Sequence, residues 1–254
     1  MTIRPIAFTG AMVSALLDGR KTQTRRVLAD VPPAPNKNCH PSHKQIHDAP
    51  YIDSYCSKRR TDENPRGMSD RWCWWQVDDR QSPPTFRVPF VPGDLLYVRE
   101  RHYADMVSPN GKCARILYSA DGRVSVNIDW PSRCRLPIVG QNRPPMFLPR
   151  EFSRLTLKVT DVRVERVKQI SEADAIAEGV SSTLKRYPDG GHMGVSARDN
   201  FHSLWDSING PRGFGWDANP WVVAVSFELI RANVDQLPGP ERERSGATTR
   251  GTGQ

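Results

Sequence analysis

Residues 19–26 read GRKTQTRR and hold the densest set of reactive side chains in the chain. Lys21 and Thr24 stand three apart, which places them on one face of a helical turn but on opposite faces of a strand. For amine and hydroxyl to meet, the chain after Gly19 must curl. Arg20, Arg25 and Arg26 surround Lys21 with like charge, which lowers the pKa of its amine and raises the neutral fraction near neutral pH. A neutral lysine is a base that can take the proton of a threonine hydroxyl and so create a nucleophile. The arginines can then hold a phosphate or a developing oxyanion. The same residues also fit a solvated basic loop after a helix, where the helix dipole favours cations.

Two carboxylates are candidates to complete such a site. Glu178, in AIAEGV, stands in the last helical turn before Gly179, where the dipole disfavours a carboxylate by roughly a few tenths of a kcal/mol. A Glu there does not serve helix stability, and the competing reading is an exposed surface residue. Glu100, in YVRER, alternates with Leu96 and Val98 and falls at the rim of their apolar face. It can pair with Arg26 or accept from an exocyclic cytosine amine, or it can be a structural salt bridge. Tyr118 and Asp121, in YSADG, either extend the pocket or simply belong to a hairpin.

The elements that must position these groups are legible in part. AMVSALLDG places Met12, Val13, Leu16 and Leu17 at helical spacing, with Gly19 as the stop. Pro92-Gly93-Asp94 is a turn feeding a strand over Leu95 to Arg99. ARILYSADGRVSVNI reads as a hairpin about Asp121-Gly122. In SRLTLKVTDVRVERV, Leu155, Leu157 and Val159 alternate with polar neighbours, and the phase then shifts at Asp161 to Val162, Val164 and Val167, which predicts a bulged strand. SEADAIAEGV is a short helix with Ser171 and Asp174 in capping positions and Ala173, Ile176 and Ala177 on one face. NFHSLWDSI places Phe201, Leu204, Trp205 and Ile208 on a helical core face, and PWVVAVSFELI is a buried closing strand.

Residues 32–90 show no sustained period and read as a long irregular insertion. Cys39, His40, His43, His47, Cys56 and Cys73 lie there, but only His43 and His47 have zinc-like spacing, so no metal is expected. Trp72, Trp74 and Trp75 form either a packing anchor or a stacking platform for bases, with the anchor preferred.

The chain has 254 residues and a net charge of +8, with 36 Lys and Arg against 28 Asp and Glu. Such an excess points to anionic or electron-rich partners without specifying a fold. Arg20, Lys21, Arg25 and Arg26 against Asp18 and Asp30 leave +2 within 18–30. That local excess favours a local ligand over a protein-wide nucleic-acid surface. No apolar run approaches the roughly 18 residues of a membrane span, and the start MTIRPIAFTG lacks a signal-peptide pattern, so a cytoplasmic protein without membrane contact is expected. The 5 cysteines form no close CxxC pair, which fits reduced thiols.

In order, an apolar helix, GRKTQTRR, PGDLLYVRE, a strand running into ISEADAIAEGV, a Trp-bearing helix and WVVAVSFEL together resemble the ASCH domain family. The likeness is greatest to its longer members encoded by bacteriophages and prophages, and it covers about 1–31 and 91–231. It implies an α+β fold: a small, mostly antiparallel PUA-like β-barrel with helices packed outside. The domain would span 1–231, interrupted by the insertion 32–90 and followed by a disordered tail, 232–254. Small bacterial members include an amidohydrolase that removes acyl groups from the N4 amine of cytidine with a Lys, a Thr and a Glu. By resemblance those are Lys21, Thr24 and Glu178, and Arg26 matches the arginine that follows the Thr. Arg25, Glu100 and Tyr118 are taken as further substrate-binding candidates. The sequence departs from the small enzymes in length, in its insertion and in Arg25, where they carry an apolar residue.

Two functions follow. One is an amidohydrolase acting on an N4-acylated nucleoside without a cofactor. The other is a binding module for RNA, or for RNA or DNA carrying a modified base, that performs no chemistry. A phage accessory protein with an inactive site is a third. Oligomeric state is open.

Overall fold

A computed structural model of the chain describes residues 2–28, 51–56, 59–61, 67–75, 85–125, 128–186 and 192–237. Strands β1 (Ile3–Ala7), β2 (Gln23–Val27), β3 (Tyr51–Cys56), β4 (Met68–Trp75), β5 (Thr85–Arg87), β6 (Leu95–Arg99), β7 (His102–Val107), β8 (Cys113–Tyr118), β9 (Ile128–Asp129), β10 (Asn142–Arg143), β11 (Thr156–Arg166), β12 (Thr183–Arg186), β13 (His192–Val195) and β14 (Trp221–Ile230) are joined by helices α1 (Gly10–Leu17), α2 (Glu172–Ala177) and α3 (Ala197–Asn209). The fold is mixed α+β. No helix among the described residues is long and apolar enough to cross a membrane.

The main sheet runs β1-β6-β11-β14-β2. Only β1 and β6 pair in parallel; the other neighbours are antiparallel. No ladder joins the edge strands β1 and β2, so backbone hydrogen bonds do not close the expected barrel among the described residues. A side chain spans the gap instead, where Arg26 Nη2 donates to the Ala7 carbonyl at 2.8 Å.

The register of β11 against β14 shifts between Val159 and Asp161, where the sequence changes phase. An extra residue swaps the parity of the strand, so Leu157 and Val159 before it and Val162 after it all face the same core. That core also takes Ile6, Phe8, Val13, Leu16, Leu96, Val98, Val223 and Val225. On the opposite face, Val222 packs with Ala175, Phe201, Trp205 and Trp216 under α2 and α3.

Each helix begins on a side-chain cap, Thr9, Ser171 or Ser196, which accepts from a backbone N–H of the first turn. Two helical faces differ from expectation. In α3 the buried line is Ala197, Phe201, Trp205 and Asn209, a strict four-residue repeat, while Leu204 and Ile208 are each 38% exposed. In α2, Ala175 and the following Glu178 point inward, whereas Ala173 lies at the surface and Ile176 is 54% exposed. The short helix sits on polar groups of β2 and β11, so its inward side is not its most apolar one.

The insertion is not irregular throughout. β3, β4 and β5 form a three-stranded antiparallel sheet, which puts Trp72 opposite Phe86. Trp72, Phe86 and Val88 pack against the main core, consistent with an anchoring role for Trp72. Aromatic and β-branched residues suit paired strands, but runs this short and separate are hard to distinguish from loop by period alone. The side chains of Trp74, Trp75, Cys56 and Cys73, and the whole of Cys39, His40, His43 and His47, lie outside the described residues. Among the described residues no cluster suited to a metal occurs.

Two residues expected in the tail, Asn233 and Val234, are held against the sheet. Val234 is buried against Leu95 and Tyr97, and the Asn233 amide donates to the carbonyls of Arg150, Glu151 and Ser153 at 2.9, 3.2 and 2.7 Å. Residues 238–254 lie outside the described residues.

Candidate active site

Helix α1 ends at Asp18, and Gly19, with φ +74°, turns the chain so that the Arg20 and Lys21 N–H groups both donate to the Ala15 carbonyl. Lys21 then pairs as an isolated antiparallel bridge with Glu178, and Thr22 N–H donates to Ala177 O at 2.8 Å. The end of α2 is thereby fixed along the entry to β2. Gly179 makes this approach possible. Its φ is +87°, and a Cβ there would stand 3.0 Å from Ala15 Cβ and 3.1 Å from Lys21 Cβ. Gly179→Ala is expected to cost about 1–3 kcal/mol from backbone strain, before any crowding is counted. Urea unfolding measures this, and an unchanged midpoint would refute the close approach.

The bridge brings the predicted lysine and glutamate together. Lys21 Nζ donates to Glu178 Oε2 at 2.7 Å and to the Glu178 carbonyl at 2.8 Å, with its side chain fully enclosed. Burial pulls the Lys21 amine below its ordinary pKa, and Arg26 and Arg25 add to the fall, while Glu178 opposes it. The ammonium also stands 5.6 Å from the centre of the Phe8 ring, which Arg26 covers from 5.3 Å.

Thr24 and Arg26 lie on the same face of β2, opposite Val225 and Val223 of β14, and so look toward the core side of the sheet. Thr24 is buried, and the Lys21 amine donates to Glu178 and not to the Thr24 hydroxyl. The expected curl after Gly19 therefore delivers the lysine to Glu178, with Thr24 a short way along the strand.

Arg25 takes the opposite face. Nε and Nη2 donate to Glu165 Oε1 at 3.0 and 2.6 Å, and Nη1 donates to Gln23 Oε1 at 2.6 Å and Glu178 Oε1 at 3.4 Å. Asp174 Oδ2 lies 3.2 Å from Nη2. This guanidinium is committed within the protein and leaves no donor for a substrate, contrary to the role expected of it. It steadies the Glu178 carboxylate from the side opposite Lys21. Arg163 joins by donating to Asp174 at 2.8 Å. Burial alone would raise the Asp174 carboxyl, but the Arg163 hydrogen bond and the Arg25 charge outweigh it and hold its pKa at about 2.

Glu100 and Tyr118 belong elsewhere. Glu100 is 1% exposed and pairs with Arg154, not Arg26, through two bonds of 2.8 Å, while Arg154 Nη1 donates to Asp121 at 2.8 Å. The Arg154 guanidinium lies 4.1 Å over the Tyr118 ring, whose hydroxyl donates to Phe152 O at 2.7 Å. Tyr118 and Arg154 border a separate cavity of about 330 Å³. Of the proposed site, the structure thus brings together Lys21 and Glu178, with Arg26 near Lys21 over Phe8, and separates Glu100 and Tyr118 into a second ionic cluster.

Several participants carried no recognisable signal. Phe8 follows a strand as an ordinary apolar residue, and Glu165 and Arg154 are single charges in a strand and at its approach. Asp174 was visible only as a capping residue.

Comparison of the chain with protein-family models, with curated proteins and with solved structures gives no match.

Proposed function

We propose that the chain is an ASCH-type amidohydrolase that removes an acyl group from the N4 amine of cytidine or a related cytosine nucleoside. The observation that carries this reading is the Lys21–Glu178 pair, formed at 2.7 Å by residues 157 positions apart, withdrawn from water and next to the strand that bears Thr24. A buried ion pair is no efficient source of stability, because desolvation of both charges offsets much of their attraction. A lysine whose pKa is pulled down by burial is instead suited to exchanging protons near neutral pH. The side-chain link between β1 and β2 supports reading the sheet as the curled wall of a PUA-like barrel.

In this mechanism the Thr24 hydroxyl attacks the acyl carbon while its proton passes to the neutral Lys21 amine. The tetrahedral oxyanion faces the Arg26 guanidinium. Collapse breaks the bond from carbon to N4, Lys21 returns the proton to N4, and cytidine leaves. Water then attacks the Thr24 ester and gives its proton to Lys21, which passes it to the Thr24 oxygen as the ester C–O bond breaks, and the acid departs. Glu178 holds the amine in place, and Arg25 holds Glu178.

Binding of RNA or a modified base without chemistry is the second reading. It is favoured by the Lys21 ammonium, which donates to Glu178 and not to Thr24, as in a structural pair. Incubation with N4-acetylcytidine, followed by chromatography, separates the two. Free cytidine is expected from wild type, and none from Thr24→Val if the hydroxyl is the nucleophile. Thr24→Val with full activity would assign attack to water; no cytidine from wild type would leave the binding reading.

A further inference from the structure

A second group of arginines lies away from the Lys21 site. β10, the end of β6 and the loop 134–149 enclose a cleft of about 510 Å³. Arg99, Arg135 and Arg143 line it, together with Leu136, Met146 and Phe147, and no lining residue is acidic. Several arginines elsewhere, among them Arg25, Arg115, Arg133, Arg150, Arg154 and Arg163, each reach a carboxylate, while Arg26, Arg166, Arg198 and Arg231 donate to backbone carbonyls. The three cleft arginines have no carboxylate partner among the described residues.

Two of them also hold donors without a partner among the described residues, as does Arg4, through Nε, outside the cleft. Arg99 donates to Met146 O at 3.2 Å and to the Tyr97 hydroxyl at 3.0 Å, but its Nε is buried without a partner. Arg143 lies 5.2 Å over the Phe147 ring, with Nη1 likewise buried and unpaired. A desolvated charged donor without an acceptor is costly, and a cluster of them calls for an anion. Beside them Phe147 is 50% and Met146 64% exposed. Cationic forks next to an open aromatic face match a phosphate joined to a planar base.

We propose that this cleft binds a nucleotide phosphate, free or within a single strand, through Arg99, Arg135 and Arg143, with a base against Phe147. The cleft meets the Lys21 site at one backbone contact, where the Phe8 N–H donates to Arg99 O at 3.0 Å. The proposal uses none of the catalytic residues, so each can fail without the other.

The test is fluorescence anisotropy with a labelled, cytidine-rich single-stranded RNA at low salt. Wild type should bind saturably, with a log–log salt slope of about −0.7 for the one phosphate that the three arginines neutralise. Phe147→Ala should weaken binding about tenfold. Arg135→Gln and Arg143→Gln should weaken it and flatten the slope, and Arg115→Gln, an exposed arginine paired with Asp105, should leave it unchanged. Phe147 and Arg135 are exposed, so their variants fold even if Arg143→Gln does not. Displacement by free cytidine monophosphate would assign a mononucleotide pocket, and displacement by RNA alone would assign a strand groove. Absence of binding at low salt, or wild-type affinity in both Phe147→Ala and Arg135→Gln, overturns the proposal.

Discussion

Glu178→Ala is expected to lower the unfolding free energy by about 3–5 kcal/mol, the usual result of removing one member of a buried ion pair. The loss exceeds that of a surface bridge because two cations depend on this carboxylate. Lys21 and Arg25 have side chains with no exposure, and each reaches one Glu178 oxygen. Without Glu178, Lys21 keeps only a carbonyl whose position also belonged to that residue. Its amine is expected to shed its proton to escape the uncompensated charge, since burial already favours the neutral form. Arg25 retains Glu165 and Asp174 and is affected less. Urea denaturation of wild type, Glu178→Ala and Glu178→Gln measures the effect. A loss below about 1 kcal/mol for the alanine variant would mean that water reaches this pair freely.

The other large effect concerns Arg154. Arg154→Ala leaves Glu100 buried without its bidentate partner, and a loss of about 3–5 kcal/mol is again expected at neutral pH. This loss depends on pH with a definite sign. Burial raises the Glu100 pKa above its ordinary 4.5, and Arg154 restrains that rise. A carboxyl with a raised folded-state pKa binds its proton more tightly folded than unfolded. Stability therefore falls as pH rises from about 4.5 through the folded-state value. Removing Arg154 raises that value further and extends the fall to higher pH. The gap between wild type and variant should accordingly widen from mildly acid to neutral pH and then level off. Denaturation at several pH values checks this; a gap independent of pH would show that Glu100 does not carry the charge.

The sequence conveyed the strands and the chemistry of separate segments better than it conveyed partnerships. The phase shift at Asp161 was visible because a bulge changes which parity is apolar, and β11 shows that shift in its register. Lys21 and Glu178 were paired through a family resemblance; spacing alone leaves residues 157 positions apart unconnected. Glu100 was correctly placed on a strand, but its partner was not foreseeable, because Arg154 is a lone charge 54 positions away. The sequence offers Arg25 as a ligand contact because a basic cluster does not reveal which members turn inward. Strand alternation settles it: Thr24 and Arg26 face one way, Gln23 and Arg25 the other. The strands within the insertion were missed because β3 and β5 are short and separated by polar sequence. The inward side of α2 was missed because it buries Glu178 where Ile176 is the more apolar candidate.

Lys21 either handles protons or merely fills a buried ion pair. Measurement of kcat/KM for N4-acetylcytidine hydrolysis in wild type and Lys21→Met decides this most directly, since methionine keeps the apolar stem and removes the amine. Loss of a general base predicts a drop of about 10²–10⁴-fold with the fold intact by circular dichroism. Hydrolysis by folded Lys21→Met at the wild-type rate would contradict the account.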